Sequence, residues 1–247
     1  TLVFGKDTVS DFRFTRSKIG LAAQELSVDW FFSIERLLFF QAGYYGIKPK
    51  EAKETIDELL ERLGLREKRN SRLRQLSGGM KRRFQLAKAL VHDPDIIILD
   101  EPTAGVDVEL RKDLWAYLSD LHKNGKTILL TTHYIEEAEF LCEKVSIIDN
   151  GLVLKEGSPK ELIKTLGKSG ITIELKSTPE KLIPIVTALG ATISENRLTF
   201  EVKDLGTFLP KIIKELTTWN AEIKSITPNS SSLEEVFLNL TGKKIND

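Results

Sequence analysis

The most constraining feature of this 247-residue sequence is an unbroken apolar run, Ile96 to Leu99, that ends in Asp100 and Glu101. A run without polar alternation is typical of a strand that is covered on both faces in a parallel sheet. A leucine stripe at helical spacing then spans 110–121, and a second apolar run spans 127–131. Strand, helix and strand at these lengths predict βαβ units with both strands buried, so the expected fold class is α/β.

The composition excludes several classes of protein. Lysine plus arginine and aspartate plus glutamate number 36 each, so bulk electrostatics give no argument for a nucleic-acid partner. The apolar runs are strand-sized, far shorter than the roughly 18 residues of a membrane-spanning helix. Cys142 is the single cysteine, which excludes an internal disulfide and a cysteine metal cluster and fits a reducing compartment.

A glycine-bounded segment, Gly167 to Gly170, is the predicted boundary between two domains, 1–166 and 170–247. In the first domain, apolar residues at helical spacing predict a helical subdomain over about 28–90. The second domain has a βαββαβ order that matches the ferredoxin-like unit, and it ends in a helix at 233–240. We therefore expect an α/β core followed by a smaller α+β domain.

Two carboxylates, Asp100 and Glu101, follow the first buried strand, at the edge where open α/β sheets bind their ligands. An aspartate at this place can hold Mg²⁺ through water, and an adjacent glutamate can polarise an attacking water. A strand that merely ends in solvated acids is an equally good interpretation of these two residues alone.

A second candidate site lies at Ser77, Gly78 and Gly79, directly before an amphipathic helix. The serine can cap that helix, and the glycines let backbone N–H groups approach an anion at its positive end. A flexible loop is the alternative. His133 follows the second apolar strand, so we expect it at the same sheet edge as the acid pair, where an imidazole can contact a phosphate or orient water. We expect no special role for the other histidines.

Five segments, in chain order, resemble the motifs of ABC-transporter ATPases. Gln24, 76–80, 95–102, 104–107 and His133 are similar to the Q-loop, the signature motif, the Walker B strand with its catalytic glutamate, the D-loop and the switch histidine. The resemblance covers residues 1 to about 166 and implies that this first, α/β domain is a P-loop NTPase core.

The tail at 231–237 resembles the C-terminal extension of bacterial multidrug and antibiotic exporter ATPases of the daunorubicin-resistance type. Met80, where many relatives in the wider ABC-ATPase family have glutamine, and the basic residues 81–83 after it point the same way. Taken by themselves, these basic residues favour an exposed face of the helix after the signature, and contact with nucleic acid is the alternative.

The resemblance implies that two such domains pair head to tail, with ATP between the P-loop of one and the signature motif of the other. It places Ser77, Gly78 and Gly79 at the γ-phosphate of the partner's nucleotide. It also implies that Asp107 couples the two nucleotide sites across the dimer.

The resemblance assigns the chemistry to four further residues. Glu101 is the implied general base, and His133 the implied contact of the γ-phosphate. Gln24 and Asp100 are implied to hold Mg²⁺, so that Gln24 belongs both to the catalytic set and to the metal set. Catalysis of this kind rests on positioning and charge neutralisation around the transferred phosphoryl group.

One family motif is absent from the sequence, the P-loop G-x-x-x-x-G-K-[ST] that cradles the nucleotide phosphates. Gly125-Lys126-Thr127 and Gly167-Lys168-Ser169 resemble its end, but the first glycine of the motif would fall at Asp120 and Leu162. We therefore expect a chain truncated before the Q-loop, which lacks the Walker A segment and is inactive alone.

The implied function is that of an ATP-binding and ATP-hydrolysing subunit that drives export of a drug-like or other small substrate through a separate integral membrane permease. The implied cofactors are ATP and Mg²⁺, and the implied second partner is another ATPase subunit in a homodimer, with no nucleic acid. The expected location is peripheral, at the cytoplasmic face of the cell membrane.

Three interpretations stay open on the sequence alone. The aromatic residues of 30–40 form the core of the helical subdomain, buried on several sides, or part of a groove for a short cytoplasmic helix of the permease, and the two interpretations are compatible. A nucleic-acid-associated ATPase of repair or translation is the alternative within the family. A non-catalytic interaction module is the alternative outside it.

Overall fold

A computed structural model describes residues 1–25, 30–167, 170–202, 205–229 and 232–242. The chain divides into two compact units, Thr1–Leu141 and Cys142–Asp247. The predicted start of the helical subdomain at 28, and residues 168–169 of the predicted domain boundary, lie outside the described residues. The division into 1–166 and 170–247 stays a prediction.

The described part of the first unit contains five short strands and six helices. The strands are β1 (Leu2–Val3), β2 (Lys6–Asp7), β3 (Ile19–Ala22), β4 (Ile96–Asp100) and β5 (Thr127–Thr131). The helices are α1 (Phe12–Ser17), α2 (Ile34–Tyr44), α3 (Pro49–Arg62), α4 (Gly78–Leu90), α5 (Val108–Lys123) and α6 (Ile135–Leu141), with 3₁₀ turns at Arg66–Lys68 and Leu73–Gln75.

A parallel sheet of order β3-β4-β5 carries the site of this unit. Residues paired across the three strands form rows that alternate between the two faces of the sheet. Two rows lie on one face, Gly20–Ile97–Ile128 and Ala22–Leu99–Leu130. Ile97 and Leu99 are fully buried in the same core as residues of α4. The predicted strand–helix–strand arrangement over 96–131 is confirmed.

The prediction that the strand at 127–131 is buried on both faces is wrong for the described chain. Leu129 is 61% exposed, and Leu21 is 59% exposed. Both pair in register with Ile98, so they form one apolar row on the face opposite the core. An apolar run shows that both faces of a strand are apolar, but it does not show that a second layer covers them.

The helical part of the first unit is built from α2, α3 and α4, whose inner faces are fully buried at Ile34, Leu38, Ile56, Leu60 and Phe84. Capping sets the helix starts: the Ser33 hydroxyl accepts from the N–H of Arg36, and Pro49 occupies the first turn of α3, where its missing N–H costs nothing.

The sequence predicts that the aromatic residues just ahead of α2 are buried on several sides, and this prediction is wrong. Trp30, Phe31 and Phe32 precede the helix and are exposed, with Phe31 the most exposed at 77%. The spacing suggested a helical surface, but the capping serine at 33 starts the helix after these rings.

His92 was expected to have no special role, yet it lies at a junction between the helical part and the sheet. Its ring stacks on Tyr45, with centroids 3.6 Å apart and planes 1° from parallel. Its Nε2 is 3.1 Å from the carbonyl oxygen of Ile19. Burial lowers the pKa of His92 from its ordinary value of 6.5, and this outweighs the opposing effects of the Ile19 carbonyl and Asp93.

This lowered pKa predicts a stability that falls in mild acid. The unfolded chain binds a proton at His92 more readily than the folded chain, so the free energy of unfolding is highest above about pH 6.5 and falls as the pH drops below it. We expect urea unfolding to show that the free energy of unfolding falls more steeply between pH 8 and pH 5 for the wild type than for His92→Gln. Equal slopes for the two proteins would contradict the assignment.

The described part of the second unit contains six strands and four helices. The strands are β6 (Val145–Asp149), β7 (Leu152–Gly157), β8 (Gly170–Leu175), β9 (Ala191–Ser194), β10 (Arg197–Glu201) and β11 (Ile223–Asn229). The helices are α7 (Pro159–Leu166), α8 (Ile183–Ala188), α9 (Leu205–Thr218) and α10 (Leu233–Thr241).

The predicted hairpin and the predicted ferredoxin-like unit are both present. The strands β6 and β7 pair antiparallel around Asn150-Gly151, whose φ angles of 49° and 76° are those of a two-residue hairpin turn. The later strands form an antiparallel sheet of order β11-β8-β10-β9, with α8 and α9 supplying buried residues to its core. Helix α8 is shorter than the predicted 179–189, because Pro184 fits only the first turn of a helix.

In the described parts of both units, no helix is long and apolar enough to cross a membrane.

Candidate functional site

The candidate site forms at the carboxyl ends of the three parallel strands. Gln24 lies two residues beyond the end of β3, Asp100 ends β4, and Glu101 follows it directly. His133 lies two residues beyond the end of β5. The parallel register brings these three strand ends to one edge, as the sequence predicts.

Glu101 is the centre of this edge. The amide Nε2 of Gln24 donates a hydrogen bond to Oε2 of Glu101 at 3.3 Å. Nδ1 of His133 lies 3.2 Å from Oε1 of the same carboxylate. Each carboxylate oxygen therefore contacts a side chain from a different neighbouring strand, and the carboxyl group is partly exposed to solvent.

The backbone of Glu101 is in the left-handed region, with a φ of 50°. Such a conformation costs on the order of 1–3 kcal/mol in a residue with a side chain, and it is kept where the surroundings enforce it. Here the N–H of Glu101 donates to the carbonyl of Thr131 at 3.0 Å, and its own carbonyl accepts from the N–H of Ala104 at 3.2 Å. The sheet and the following turn thus both hold this residue.

Asp100 is held by its neighbour on the next strand, because the hydroxyl of Thr131 donates to its Oδ1. The described residues contain no group of three or more His, Cys, Asp or Glu side chains that is arranged to hold a metal ion. Mg²⁺ ordinarily takes one or two protein carboxylates together with phosphate oxygens and water. One carboxylate at Asp100 and one amide oxygen at Gln24 fit that pattern.

The second group of predicted residues lies at two helix starts. The Ser77 hydroxyl caps α4 by accepting from the N–H of Met80 at 3.3 Å. Gly79 packs closely on the loop ahead of α5: a Cβ on this glycine would lie 3.3 Å from the carbonyl oxygen of Gly105 and 3.5 Å from Cα of Val106. A side chain at 79 would therefore require the backbone at Gly105 to move by a few tenths of an ångström.

Two neighbours complete this second group. A Cβ on Gly78 would meet no atom within 4 Å, so there is open space beside its Cα. Asp107 is the N-cap residue of α5, but its side chain makes no capping hydrogen bond. Ser77, Gly78 and Asp107 are all exposed. The structure therefore brings Gln24, Asp100, Glu101 and His133 to one sheet edge. It places the signature residues and Asp107 at the starts of α4 and α5, with Ser77, Gly78 and Asp107 exposed.

Sequence reasoning missed the residues that hold the Gln24 loop. Nη1 of Arg82 donates to the carbonyl oxygens of Ala23 at 3.2 Å and Gln24 at 3.0 Å. Nε2 of Gln85 donates to Ala23 as well, at 2.6 Å. Helix α4, which begins at the signature motif, therefore also fixes the backbone of the Gln24 loop.

The prediction that 81–83 form an exposed helix face is wrong for Arg83, and Lys81 and Arg82 are only partly exposed. Arg83 is 9% exposed and donates to the carbonyl of Leu63 at 2.7 Å. Burial lowers its pKa, and the charge of Asp107 opposes that effect. Basic residues are exposed in most helices, and the sequence carries no signal that Arg82 and Arg83 bind backbone carbonyls instead.

A further contact that the sequence does not reveal supports His133. Its ring lies 4.1 Å from the ring of Tyr134, and the guanidinium of Arg111 lies over that same tyrosine at 4.1 Å. A cation over an aromatic face is attractive by roughly 0.5–2 kcal/mol. The pair thus fixes the residue that adjoins the imidazole.

Two family models match the chain. The model for "ABC transporter" matches residues 2–104, and the model for "ATP-binding protein DrrA1-3-like, C-terminal domain" matches residues 157–241. The two matches agree with the resemblance that the motifs and the tail carry.

Among curated proteins, the chain is similar to "Nod factor export ATP-binding protein I" of Rhizobium sp. (strain N33). The two are 35% identical over 244 residues, which is 98% of this chain and 79% of that protein. It is also similar to "Linearmycin resistance ATP-binding protein LnrL" of Bacillus subtilis (strain 168), with 31% identity over 252 residues, 99% of this chain and 80% of that protein. These relatives give no support for the nucleic-acid alternative.

Two solved structures share the fold. One is described as the ATP-binding subunit of an ABC transporter, with a TM-score of 0.60 and 24% identity over 65% of this chain and 67% of that one. The other is the ATP-binding cassette MJ0796, solved as a dimer bound to ADP and Pi, with a TM-score of 0.58 and 24% identity over 63% and 71% of the two chains. The predicted α/β NTPase fold class is thereby confirmed. The chain belongs to the ATP-binding proteins of ABC transporters, a family of ATPases.

Proposed function

We propose that this protein hydrolyses ATP to drive export of a drug-like or other small molecule through a separate membrane permease. The observation that supports it best is the placement of Glu101, whose two carboxylate oxygens contact Gln24 and His133 from neighbouring strands. The names of the relatives, which refer to Nod factor export and linearmycin resistance, support export as the direction of transport.

In this proposal Glu101 is the general base that polarises the attacking water. His133, held beside it, contacts the γ-phosphate, and Gln24 orients the water and the carboxylate together. A positioned general base typically contributes 10²–10⁴-fold to a rate. The remaining acceleration comes from fixed charges and donors around the transferred phosphoryl group.

Mg²⁺ is part of the same proposal, with Asp100 and Gln24 as the protein groups that would hold it. When bound, the ion neutralises charge on the nucleotide phosphates. Asp100 accepts the hydrogen bond of the Thr131 hydroxyl through Oδ1, and no described hydrogen bond occupies its Oδ2. This leaves an oxygen ligand in a fixed position at the strand end.

A second copy of the chain is the proposed partner for the signature residues. Ser77, Gly78 and Gly79 lie at the exposed start of α4, where backbone N–H groups and the helix dipole favour an anion. They share no hydrogen bond with Glu101 among the described contacts. The exposure of Ser77, Gly78 and Asp107 supports a γ-phosphate contact made in trans, to the nucleotide of the other copy, with Asp107 coupling the two sites.

The permease is proposed to contact the exposed aromatic segment at 30–32. A contiguous group of exposed rings is typical of an interaction surface, and the ammonium of Lys81 lies 5.6 Å from the ring centre of Trp30. A short helix with apolar side chains would fit this segment. Through that contact the protein would be peripheral at the cytoplasmic face of the membrane.

The division of labour between domains is also a proposal. Residues 1–166, with the helical subdomain over about 28–90, would carry the nucleotide chemistry and the permease contact. Residues 170–247 would be an accessory domain. The P-loop motif is not among the 247 residues, so we propose that the chain alone does not hydrolyse ATP.

The test uses the whole gene product, with any residues ahead of Thr1, in vesicles with its proposed membrane permease. We expect ATP hydrolysis that the permease stimulates and that Phe31→Ala uncouples, because Phe31 is the most exposed ring of the contact. Trp219→Ala, an exposed aromatic residue of the second unit, is the matched control and should leave coupling unchanged. Absence of hydrolysis, or micromolar ATP binding by the 247 residues alone, would contradict the proposal.

A further inference from the structure

A buried carboxylate lies next to the candidate site without being part of it. Glu137, in α6, is fully buried at 0% exposure. Its Oε1 accepts two hydrogen bonds, from the hydroxyl of Thr103 at 2.9 Å and from the indole N–H of Trp115 at 2.9 Å. Glutamate is almost never fully buried unless it is paired, so this arrangement requires an explanation.

The two donors come from different segments that flank the site. Thr103, which is also fully buried, lies in the loop between Glu101 and Asp107. Trp115 lies in the middle of α5. Glu137 itself belongs to the helix that begins two residues after His133, and its N–H donates to the carbonyl of Tyr134 at 3.1 Å. One carboxylate oxygen therefore joins three segments.

The loop that Thr103 anchors reaches the second group of site residues. The carbonyl of Thr103 accepts from the N–H of Val106 at 3.1 Å. Val106 is the residue against which Gly79 packs, since a Cβ on that glycine would lie 3.5 Å from its Cα. A shift of Thr103 would therefore move both the turn after Glu101 and the surface under the signature motif.

Stability alone does not account for a glutamate at this place. Its second oxygen, Oε2, is buried and has no hydrogen-bond partner in the described part of the chain. A half-satisfied buried carboxylate is more costly than an apolar side chain of similar size. A glutamate, unlike an apolar side chain, supplies an acceptor oxygen that holds the hydroxyl of Thr103 and the indole N–H of Trp115 in one geometry.

We propose that Glu137 is a positioning residue for ATP hydrolysis. It sets the distance between Glu101 and His133 because it joins the loop after Glu101 to the helix after His133. This inference rests on the proposed function. Glu137 contacts neither Glu101 nor His133 directly, so its effect is on the rate of the chemical step and not on the affinity for ATP.

The experiment compares three variants in the whole gene product reconstituted with its permease. Glu137→Gln keeps an acceptor oxygen for both donors and should keep kcat within about threefold. Glu137→Leu removes the acceptor and should lower kcat by about 10²-fold, the loss that follows a displacement of about 1 Å at a reacting group, with KM for ATP within about twofold. Thr103→Val, which removes one donor, should fall between them.

The readouts separate positioning from simple loss of structure. Each ATPase rate is divided by the folded fraction of the protein, which is measured by near-ultraviolet circular dichroism. If Glu137→Leu does not fold, the variants Thr103→Val and Trp115→Phe are used in its place. A wild-type kcat in Glu137→Leu, or in Thr103→Val and Trp115→Phe, would overturn the inference. An equal loss of kcat in Glu137→Gln and Glu137→Leu would overturn it as well. A wild type without ATP hydrolysis would overturn the proposed function, and the inference with it.

Discussion

Replacing Glu101 by glutamine is expected to lower steady-state ATP hydrolysis by about 10²–10⁴-fold, the contribution of a positioned general base. Glutamine has the same length and can still contact Gln24 and His133, but it cannot accept a proton from the attacking water. ATP affinity should therefore stay within about twofold of the wild type. Because ATP stays uncleaved, the dimer should accumulate in its ATP-bound form.

The measurement is the ATPase rate of the whole gene product together with its ATP affinity and its mass in solution. Glu109→Gln is the matched control, since Glu109 is an exposed acid in the first turn of α5 and should change neither quantity. An unaltered rate in Glu101→Gln would exclude the assigned role, whatever the dimer does.

Replacing Gly20 by alanine is expected to destabilise the first unit strongly, because the added methyl group has no room. Gly20 lies in β3, beneath α4. A Cβ at this position would overlap the carbonyl oxygen of Ala89 and would lie 2.8 Å from Cγ of Pro94. Neither the backbone of a helix nor a proline ring can rotate away, so the helix has to move off the sheet.

Overpacking of this kind typically costs 1–3 kcal/mol, and the backbone overlap places Gly20→Ala at the upper end, about 3 kcal/mol. The control is Gly43→Ala in α2, where a Cβ would meet no atom within 4 Å and alanine should add about 0.5–1 kcal/mol of stability. Urea unfolding measures both. Equal stabilities of the two variants would show that β3 and α4 do not pack closely at Gly20.

Part of the candidate site follows from the sequence because parallel strands end at a common edge. The acid-ended run at 96–101 and the histidine two residues after the next strand suffice to predict that Glu101 and His133 lie close together. Gln24 is found only through the family motifs, since a glutamine after a short apolar run has no chemical signature of its own.

The rest of the site could not be predicted, because it depends on contacts between distant segments. Arg82 and Arg83 bind carbonyl oxygens, although basic residues on a helix are usually exposed. Glu137 is buried and accepts hydrogen bonds from a hydroxyl and an indole N–H, although it stands in an acidic stretch with Glu136 and Glu139. No local pattern distinguishes these residues from solvated ones.

Exposure was the least predictable property of the fold. Leu129 belongs to an apolar strand and is exposed, and the rings at 30–32 are exposed just before a helix of the core. Apolar residues indicate which surfaces of a strand or helix can be buried. The element that buries them lies elsewhere in the chain or in a partner, so the local sequence does not show whether they are buried.

The most direct test of the central claim, that two groups of residues act on one nucleotide from two copies of the chain, is a structure of the Glu101→Gln gene product with ATP and Mg²⁺. We predict that each γ-phosphate lies within hydrogen-bond distance of His133 of one copy and of Ser77 and the N–H of Gly79 of the other. A nucleotide that contacts all of these residues within one copy, or that lies away from Gln24 and position 101, would contradict the account.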